Sequence, residues 1–375
     1  MENAPRIILA AGGTGGHLWP ALSLARAVKI ARPEAEFMFI GTGRPLEDKI
    51  MGPTGIPREI LNTSGIKGQG LPGKIRAVGQ AVAATFQAVG IIREFKPDLC
   101  FGAGGYVTFP VGLAAWLCRV PVAIHEQNYK PGLSNIVLSF LARKVMVAFD
   151  QHDSPFDKDK KVVTGNPIRP EISALHRQGR NFGHRPLTVA ITGGSQGAAA
   201  LNRSAVPAMV ALHNKGVNIQ VIHQTGREDL KWARQAYAQA DMPAIAEEFI
   251  SDMADLYRRA DLLIGRAGAI TISELTAARL PSILVPLPTA ADDHQTVNAR
   301  RLEKLGASRV LPEKELTPES LADEVELIID APERLEAMSF AAGSAAQLKA
   351  DEKMAKVCLQ LIDDRNQKKS RKESR

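Results

Sequence analysis

The sequence predicts an α/β protein of two Rossmann-like, parallel-sheet domains facing each other across a cleft. Three observations carry this prediction. The chain has 375 residues, the length of two ordinary domains. A strand-like run, a glycine-rich turn and a helical pattern occur in that order twice, at 6–28 and at 187–212. Behind each copy, short apolar runs alternate with helix-period segments, the pattern of parallel sheets whose crossovers are helices.

The first element is the run Ile7-Ile8-Leu9, which feeds "AAGGTGGHLWPALSLARAV" (10–28). A strand that delivers glycines to a helix start places backbone N–H groups around an anion. The anion is not a dinucleotide. Leu18 stands where G-x-G-x-x-G needs its third glycine, and the second strand, "EFMFIGTGR", ends without a carboxylate for a ribose. No G-K-[ST] follows any glycine run, which removes a Walker loop. Further strands are expected at 36–41, 98–102, 121–125 and 144–148. Ligands of open parallel sheets gather at the carboxyl ends of strands. "FGAGGYVTFP" and "AIHEQNYKPGLSN" place Tyr106, His125, Glu126 and Asn128 there, and His17 closes the first loop.

Proline, glycine and charge accumulate in "DQHDSPFDKDKKVVTGNPIRPEI", so the hinge is expected at Gly165-Asn166-Pro167, dividing 1–165 from 166–345. Two nucleotide-binding-type domains about a hinge suit a transferase. In the second half, strands are expected at 187–192, 218–223, 245–250, 261–264 and 282–286. The turn Gly265-Arg266-Ala267-Gly268-Ala269 opens a helix with Thr271 in its first turn and Glu274 one turn on. Such a helix start can hold a diphosphate, and the carboxylate can accept from both ribose hydroxyls. Ile272, Leu275 and Ala277 flank Glu274, which predicts a buried carboxylate.

Composition narrows the classes further. Three cysteines without a CxxC pair give neither a disulfide framework nor a zinc site, and point to a reducing cytoplasm. The N-terminus runs straight into the glycine loop and does not read as a signal peptide. The uncharged stretches 77–92 and 101–118 read as too short or too rich in glycine to span a bilayer. Asp292-Asp293 lacks further carboxylates at ligand spacing, and Asp157-Lys158-Asp159 sits among lysines, so no metal site is expected. Residues 1–170 carry 20 Lys and Arg against 13 Asp and Glu, whereas residues 171–375 carry 27 of each. The basic first half suits a polyanion or an anionic membrane surface. The tail, "RNQKKSRKESR", is net +5, and residues 363–375 are expected to be disordered.

Together the blocks "GGTGGH", "GGY", "HEQN", "GNPIR", "GGSQGA..LN", "H.TG", "FI.DM", "RAGA.T..E" and "P.P.AADDHQ..NA" resemble the MurG family of bacterial UDP-N-acetylglucosamine:lipid I transferases, in order from about residue 6 to about residue 310. Departures at Ala103, Ser251 and Ile270 remove no functional group. The resemblance implies a GT-B glycosyltransferase that inverts the sugar and acts in peptidoglycan synthesis, with lipid II as product. It puts UDP-GlcNAc on Thr14, Gly15, Gly16, Asn128, Arg169, Ser195, Ile250, Ala269, Ile270, Thr271, Ile272, Ser273, Glu274 and Gln295. Tyr106, His125 and Asn135 fall on the acceptor side. His17 is the first choice for the general base and Glu126 its rival.

The resemblance also implies that a final helix, about 346–362, crosses back to the first domain. It implies no cofactor. The partners it implies are UDP-GlcNAc, lipid I, an anionic membrane surface and other cell-wall synthesis and division proteins, with no nucleic acid. The place is the cytoplasmic face of the inner membrane, held peripherally. The stretch 75–92 (Ile75, Val78, Val82, Phe86, Val89), with Trp116 and the cations Lys67, Lys74, Arg76, Arg93 and Lys96, suits that surface. The alternative is a sister glycosyltransferase with another lipid acceptor.

Overall fold

Strand β1 (Arg6–Ala11) is apolar on both sides because it lies mid-sheet with helices on each face. Ile7, Leu9 and Ala11 enter one core cluster, and Ile8 and Ala10 the other, the period of two that a strand imposes. In the computed structural model, residues 4–13, 15–63, 70–150, 154–183, 186–194, 197–290 and 293–373 are described. The chain divides into one unit of Met1–Pro167 with Lys349–Arg375 and a second of Ile168–Leu348.

In the first unit β1 is followed by α1 (Gly15–Ala31), β2 (Glu36–Gly41), α2 (Pro45–Met51), β3 (Arg58–Ile60), α3 (Leu71–Phe95), β4 (Leu99–Gly104) and α4 (Thr108–Leu117). Then come β5 (Val122–Glu126), α5 (Leu133–Leu141), β6 (Lys144–Val147) and β7 (Lys161–Val163). Its described strands pair in parallel in the order β3-β2-β1-β4-β5-β6-β7. The order reverses between β1 and β4, so the loops after those two strands face each other at the switch point.

The second unit repeats the plan. It contains α6 (Pro170–Leu175), β8 (Leu187–Thr192), α7 (Ala199–Asn214), β9 (Ile219–Gln224), α8 (Leu230–Gln239), β10 (Ala244–Glu247) and α9 (Met253–Arg259). After these follow β11 (Leu262–Gly265), α10 (Ala269–Ala277), β12 (Ser282–Leu284), α11 (His294–Lys304), β13 (Ser308–Val310), α12 (Pro318–Ile329) and α13 (Pro332–Ser344). Its parallel order is β10-β9-β8-β11-β12-β13, with the switch point between β8 and β11.

Several expectations are corrected. Strands β3, β7 and β13 are edge strands of three residues, too short to leave an apolar period in the sequence. Strand β10 stops at Glu247, so Phe249 and Ile250 lie in the loop beyond it. Strand β12 stops at Leu284, two residues before Pro286, which has no N–H to add to a ladder. The last helix, α14 (Ala350–Glu373), starts later than expected and continues through the basic tail. Arg365 holds it by donating to the carbonyls of Pro97 (3.0 Å) and Asp98 (2.9 Å), and Asp363 pairs with Arg32 at 3.5 Å.

Helix α3 also differs from its expectation. Arg76 and Arg93 lie inside it, and Ile75–Phe95 is long and apolar enough to cross a membrane by length and composition. Its Ala84, Ala88, Ile92 and Phe95 pack in the core with α4 and the sheet, while Ile75, Val78, Val82 and Phe86 are exposed.

Helix α14 packs Met354, Ala355, Cys358 and Ile362 into the same cluster as α1 and β1. Met354 is fully buried, and Met354→Ala is expected to cost about 2–5 kcal/mol. Calorimetry would read this as a lowered Tm; an unchanged Tm would show that α14 adds nothing to the first unit's core.

Candidate active site

At the switch point of the first unit two glycine loops touch. Gly12 N donates to Gly104 O at 3.3 Å, and a Cβ on Gly105 would run into the Gly12 carbonyl. Gly104 (φ +103°) and Gly105 (φ +87°) both take the left-handed backbone that favours glycine. Thr108 locks this loop: its hydroxyl lies 3.1 Å from Gly104 N, 2.7 Å from Gly104 O and 3.2 Å from Ala10 O.

His17 sits in the first turn of α1, half-buried, with its imidazole over Gly104, where any Cβ would collide with the ring. Its Nδ1 is 3.1 Å from the Ala103 carbonyl oxygen. A carbonyl only accepts, so Nδ1 carries a proton, and in the neutral ring Nε2 holds the lone pair. Gln127 Nε2 donates to the same Ala103 oxygen.

Glu126 ends β5 and is buried. Its carboxylate accepts from Asn128 N (2.9 Å), Asn128 Nδ2 (3.4 Å), Gly132 N (3.0 Å) and Asn135 Nδ2 (2.8 Å). Burial pushes its pKa up and these donors pull it down. Asn135 also donates to His125 O at 3.1 Å. His125 is fully buried, its Nε2 3.0 Å from Gly165 O, and burial pushes its pKa down to about 4. Asn166 Nδ2 donates to Gln127 O, so residues 165 and 166 are both tied to the "HEQN" segment. Tyr106 is half-exposed at the end of the β4 loop.

In the second unit Glu274 is buried in α10 as its flanks predict. Arg169 donates to Glu274 Oε1 from Nε (3.0 Å) and Nη2 (2.8 Å), and Tyr257 OH donates to Oε2 (3.1 Å). Burial raises the carboxyl pKa, and the guanidinium opposes that shift. Arg169 and Glu274, 105 residues apart, are thus one group. Ala269 to Glu274 form the first turns of α10 behind the N-cap Gly268, with Ile272 in the core and Ser273 Oγ donating to Ala269 O. Gln295 Oε1 accepts from Ala267 N (3.2 Å) and Leu287 N (3.1 Å), which leaves its NH2 as the donor.

Ile250 N donates to Gln224 Oε1 at 2.9 Å, and Gln224 Nε2 donates to Gly194 O at 2.7 Å. A base that pairs with the Ile250 backbone therefore takes the place of the Gln224 carbonyl. Gly15 and Gly16 begin α1. Asn128 follows β5. Thr14 and Ser195 lie outside the described residues. Glu47, Thr108, Gln127, Gln224 and Tyr257 were not singled out from the sequence, and Asn166 only as part of the hinge. Thr108, Gln127, Asn166 and Gln224 had a signal, their places inside "FGAGGYVTFP", "HEQN", "GNPIR" and "H.TG"; Glu47 and Tyr257 lie in none of the blocks.

Two parallel sheets, each with glycine-lined strand ends and a buried carboxylate beside them, fit a glycosyltransferase of GT-B architecture. The Glycosyltransferase family 28 N-terminal domain matches residues 7–147 and the Glycosyltransferase family 28 C-terminal domain residues 188–357. A UDP-N-acetylglucosamine–N-acetylmuramyl-(pentapeptide) pyrophosphoryl-undecaprenol N-acetylglucosamine transferase of Myxococcus xanthus is 39% identical over 357 residues, 95% of this chain and 93% of the relative. The protein of that name from Methylococcus capsulatus is 43% identical over 360 residues, 95% of this chain and 99% of the relative. The crystal structure of Acinetobacter baumannii MurG superposes with a TM-score of 0.78 at 33% identity, covering 95% of this chain and 99% of that one. The chain belongs to this family of N-acetylglucosamine transferases.

The motif residues His223 and Asn202 form a buried network. His223 Nε2 is 3.1 Å from Asn202 Oδ1 and its Nδ1 3.0 Å from Tyr237 OH, while Asn202 Nδ2 donates to Thr225 O and Asp229. Burial pushes the His223 pKa from 6.5 down to about 3. The folded histidine stays neutral where the unfolded one binds a proton. Its contribution is therefore complete above about pH 6.5 and is lost as pH falls toward 3, as is that of His125 toward 4. Each adds a slope of up to about 1.4 kcal/mol per pH unit in that window. Denaturant melts at pH 7 and pH 5 should show this loss, and His223→Gln should make it shallower; an equal slope in the variant would refute the assignment.

Proposed function

We propose that this protein moves N-acetylglucosamine from UDP-GlcNAc to the MurNAc 4-hydroxyl of undecaprenyl-pyrophosphoryl-MurNAc-pentapeptide (lipid I), making lipid II. The first unit takes the acceptor and the second the nucleotide sugar. The observation that carries this reading is His17, whose Nδ1 is fixed on the Ala103 carbonyl so that Nε2 is the basic nitrogen. In the proposed step Nε2 takes the hydroxyl proton as the 4-oxygen attacks C1 of the sugar. The bond from C1 to the UDP oxygen breaks, its electron pair leaves with UDP, and the α-donor becomes a β(1→4) link.

Glu126 fits a different task. Its four hydrogen bonds shape the loop from Asn128 to Asn135, and protonating it would break them. Tyr106, His125 and Asn135 belong to the acceptor side of the same unit. On the nucleotide side Glu274, braced by Arg169 and Tyr257, accepts from the ribose hydroxyls, and the Ile250 backbone pairs with uracil once Gln224 yields the amide. The NH2 of Gln295 donates to the sugar. A lone pair left unmet in a water-free site would cost about 1–3 kcal/mol.

The prenyl chain of the acceptor calls for a peripheral seat on the cytoplasmic face of the membrane. Ile75, Val78, Val82 and Phe86 on α3, Trp116 and Leu117 on α4, and Leu133 and Phe140 on α5 are all exposed. Arg76 and Arg93 on α3 are exposed beside them, and an apolar face rimmed by cations suits an anionic bilayer.

Release of UDP by the purified protein, given UDP-GlcNAc and a lipid I analogue, tests the activity. His17→Ala is expected to lower kcat by about 10²–10⁴ with UDP-GlcNAc affinity near wild type, whereas Glu274→Ala weakens that affinity. Near-normal turnover of His17→Ala together with loss in Glu126→Gln would move the base to Glu126. In sedimentation with phosphatidylglycerol vesicles, Phe86→Ser with Trp116→Ser should weaken binding at least about tenfold; unchanged partition would place the membrane contact elsewhere.

A further inference from the structure

Glu47, in the first turn of α2, is only 2% exposed, and among the described residues no lysine or arginine pairs with it. The transfer step assigns it no role. Its oxygens are nevertheless fully engaged: Oε2 accepts from Thr42 N (2.7 Å) and Gly43 N (2.9 Å), and Oε1 from Thr42 Oγ1 (2.6 Å) and Gly13 N (3.3 Å). One buried carboxylate therefore joins the loop after β2 to the glycine loop after β1. Glycines make room for it. A Cβ on Gly41 would collide with Oε2, and one on Gly12 would come to 3.3 Å of Oε1.

The loop that Glu47 holds ends in Arg44, the N-cap residue of α2. Arg44 is exposed, and among the described residues its guanidinium has neither an ion-pair nor a hydrogen-bond partner. Its Nη1 lies 3.8 Å from where a Cβ on Gly13 would stand, so the cation runs along the glycine loop. A planar guanidinium with all its donors available beside backbone N–H groups matches a phosphate oxyanion.

We propose that Arg44 is a ligand of the acceptor's diphosphate, and that Glu47 is the positioning residue that sets Arg44 and Gly13 for it. This rests on the reading that the first unit takes the prenyl-diphosphate acceptor. The chemistry of Glu47 gives a selective test. In Glu47→Gln the NH2 group suits the Oε1 place, because the Thr42 hydroxyl can turn and accept from it, whereas Gly13 N–H cannot. The variant keeps the bonds to Thr42 N and Gly43 N and disconnects the glycine loop alone.

The experiment measures initial rates with a short-prenyl lipid I analogue for wild type, Arg44→Ala, Arg44→Lys and Glu47→Gln, with a Tm for each. Calorimetric titrations with geranyl pyrophosphate, geranyl monophosphate and UDP-GlcNAc accompany it. Arg44→Ala is expected to raise the acceptor KM about tenfold or more, with UDP-GlcNAc affinity and Tm unchanged, and Arg44→Lys to recover part of the loss. Glu47→Gln is expected to raise the acceptor KM as well and to erase the preference for pyrophosphate over monophosphate. An unchanged acceptor KM in Arg44→Ala, or an equal loss of UDP-GlcNAc affinity, overturns the proposal. If wild type binds geranyl pyrophosphate through Arg44 yet turns over no lipid I analogue, the acceptor reading fails and the diphosphate site stands. If it binds the pyrophosphate no better than Arg44→Ala does, the site itself fails.

Discussion

Gly12 N donates to Gly104 O at 3.3 Å, and this approach of two strand-end backbones sets the rest of the first unit's site. The loops can come this near only because Gly104 and Gly105 lack side chains and hold positive φ. The absence of a Cβ on Gly104 opens the space that the His17 ring fills. That fit brings Nδ1 to the Ala103 carbonyl, and the carbonyl in turn fixes which nitrogen is basic. The second unit uses the same device. A Cβ on Gly197 would press on the Thr225 carbonyl, and Asn202 and His223 brace that contact from beneath. Glycine here is a requirement of backbone proximity in both sheets.

Three buried carboxylates then give these loops their shape. Glu47, Glu126 and Glu274 are each at most 4% exposed, and an ion so placed is costly unless its lone pairs are met. Each meets that condition differently. Glu47 and Glu126 use backbone and neutral side-chain donors, whereas Glu274 uses the charged fork of Arg169 with a tyrosine hydroxyl. A carboxylate bound only by neutral donors is a loop fastener, because a proton or a new partner would undo the loop. One held by a single arginine and one hydroxyl keeps lone pairs for a ligand. The same buried residue type, at one strand end and in two helices, thus divides into two kinds of bonding.

Much of the fold was legible because parallel strands buried on both faces leave short apolar runs, and β2 and β8 have the bounds those runs predict. The three-residue edge strands were not, since pairing with a neighbour makes them strands and no period marks them. Residues 363–373 read as a disordered basic tail, but Arg365 finds two carbonyls on the β4 side of the sheet and the helix continues. At the site, the strand-end places of His125 and Glu126 were visible, because they end a recognisable apolar run. The hydrogen bonds that fill the Glu126 oxygens, and the Gly165 carbonyl that meets His125, were not.

The sequence by itself determined the doubled strand–glycine–helix plan, the family and the strand-end places of His17, His125 and Glu126. These follow from period, spacing and residue type, which are local along the chain. Tertiary structure alone decided the tautomer of His17, the pairing of Arg169 with Glu274 and the clamp of Glu47 on two loops. Each of these depends on which backbone groups lie within about 3 Å of a side chain. In a doubly wound sheet that proximity is set by strand order, which brings together residues 34, 86 or 105 positions apart with no local pattern to announce them.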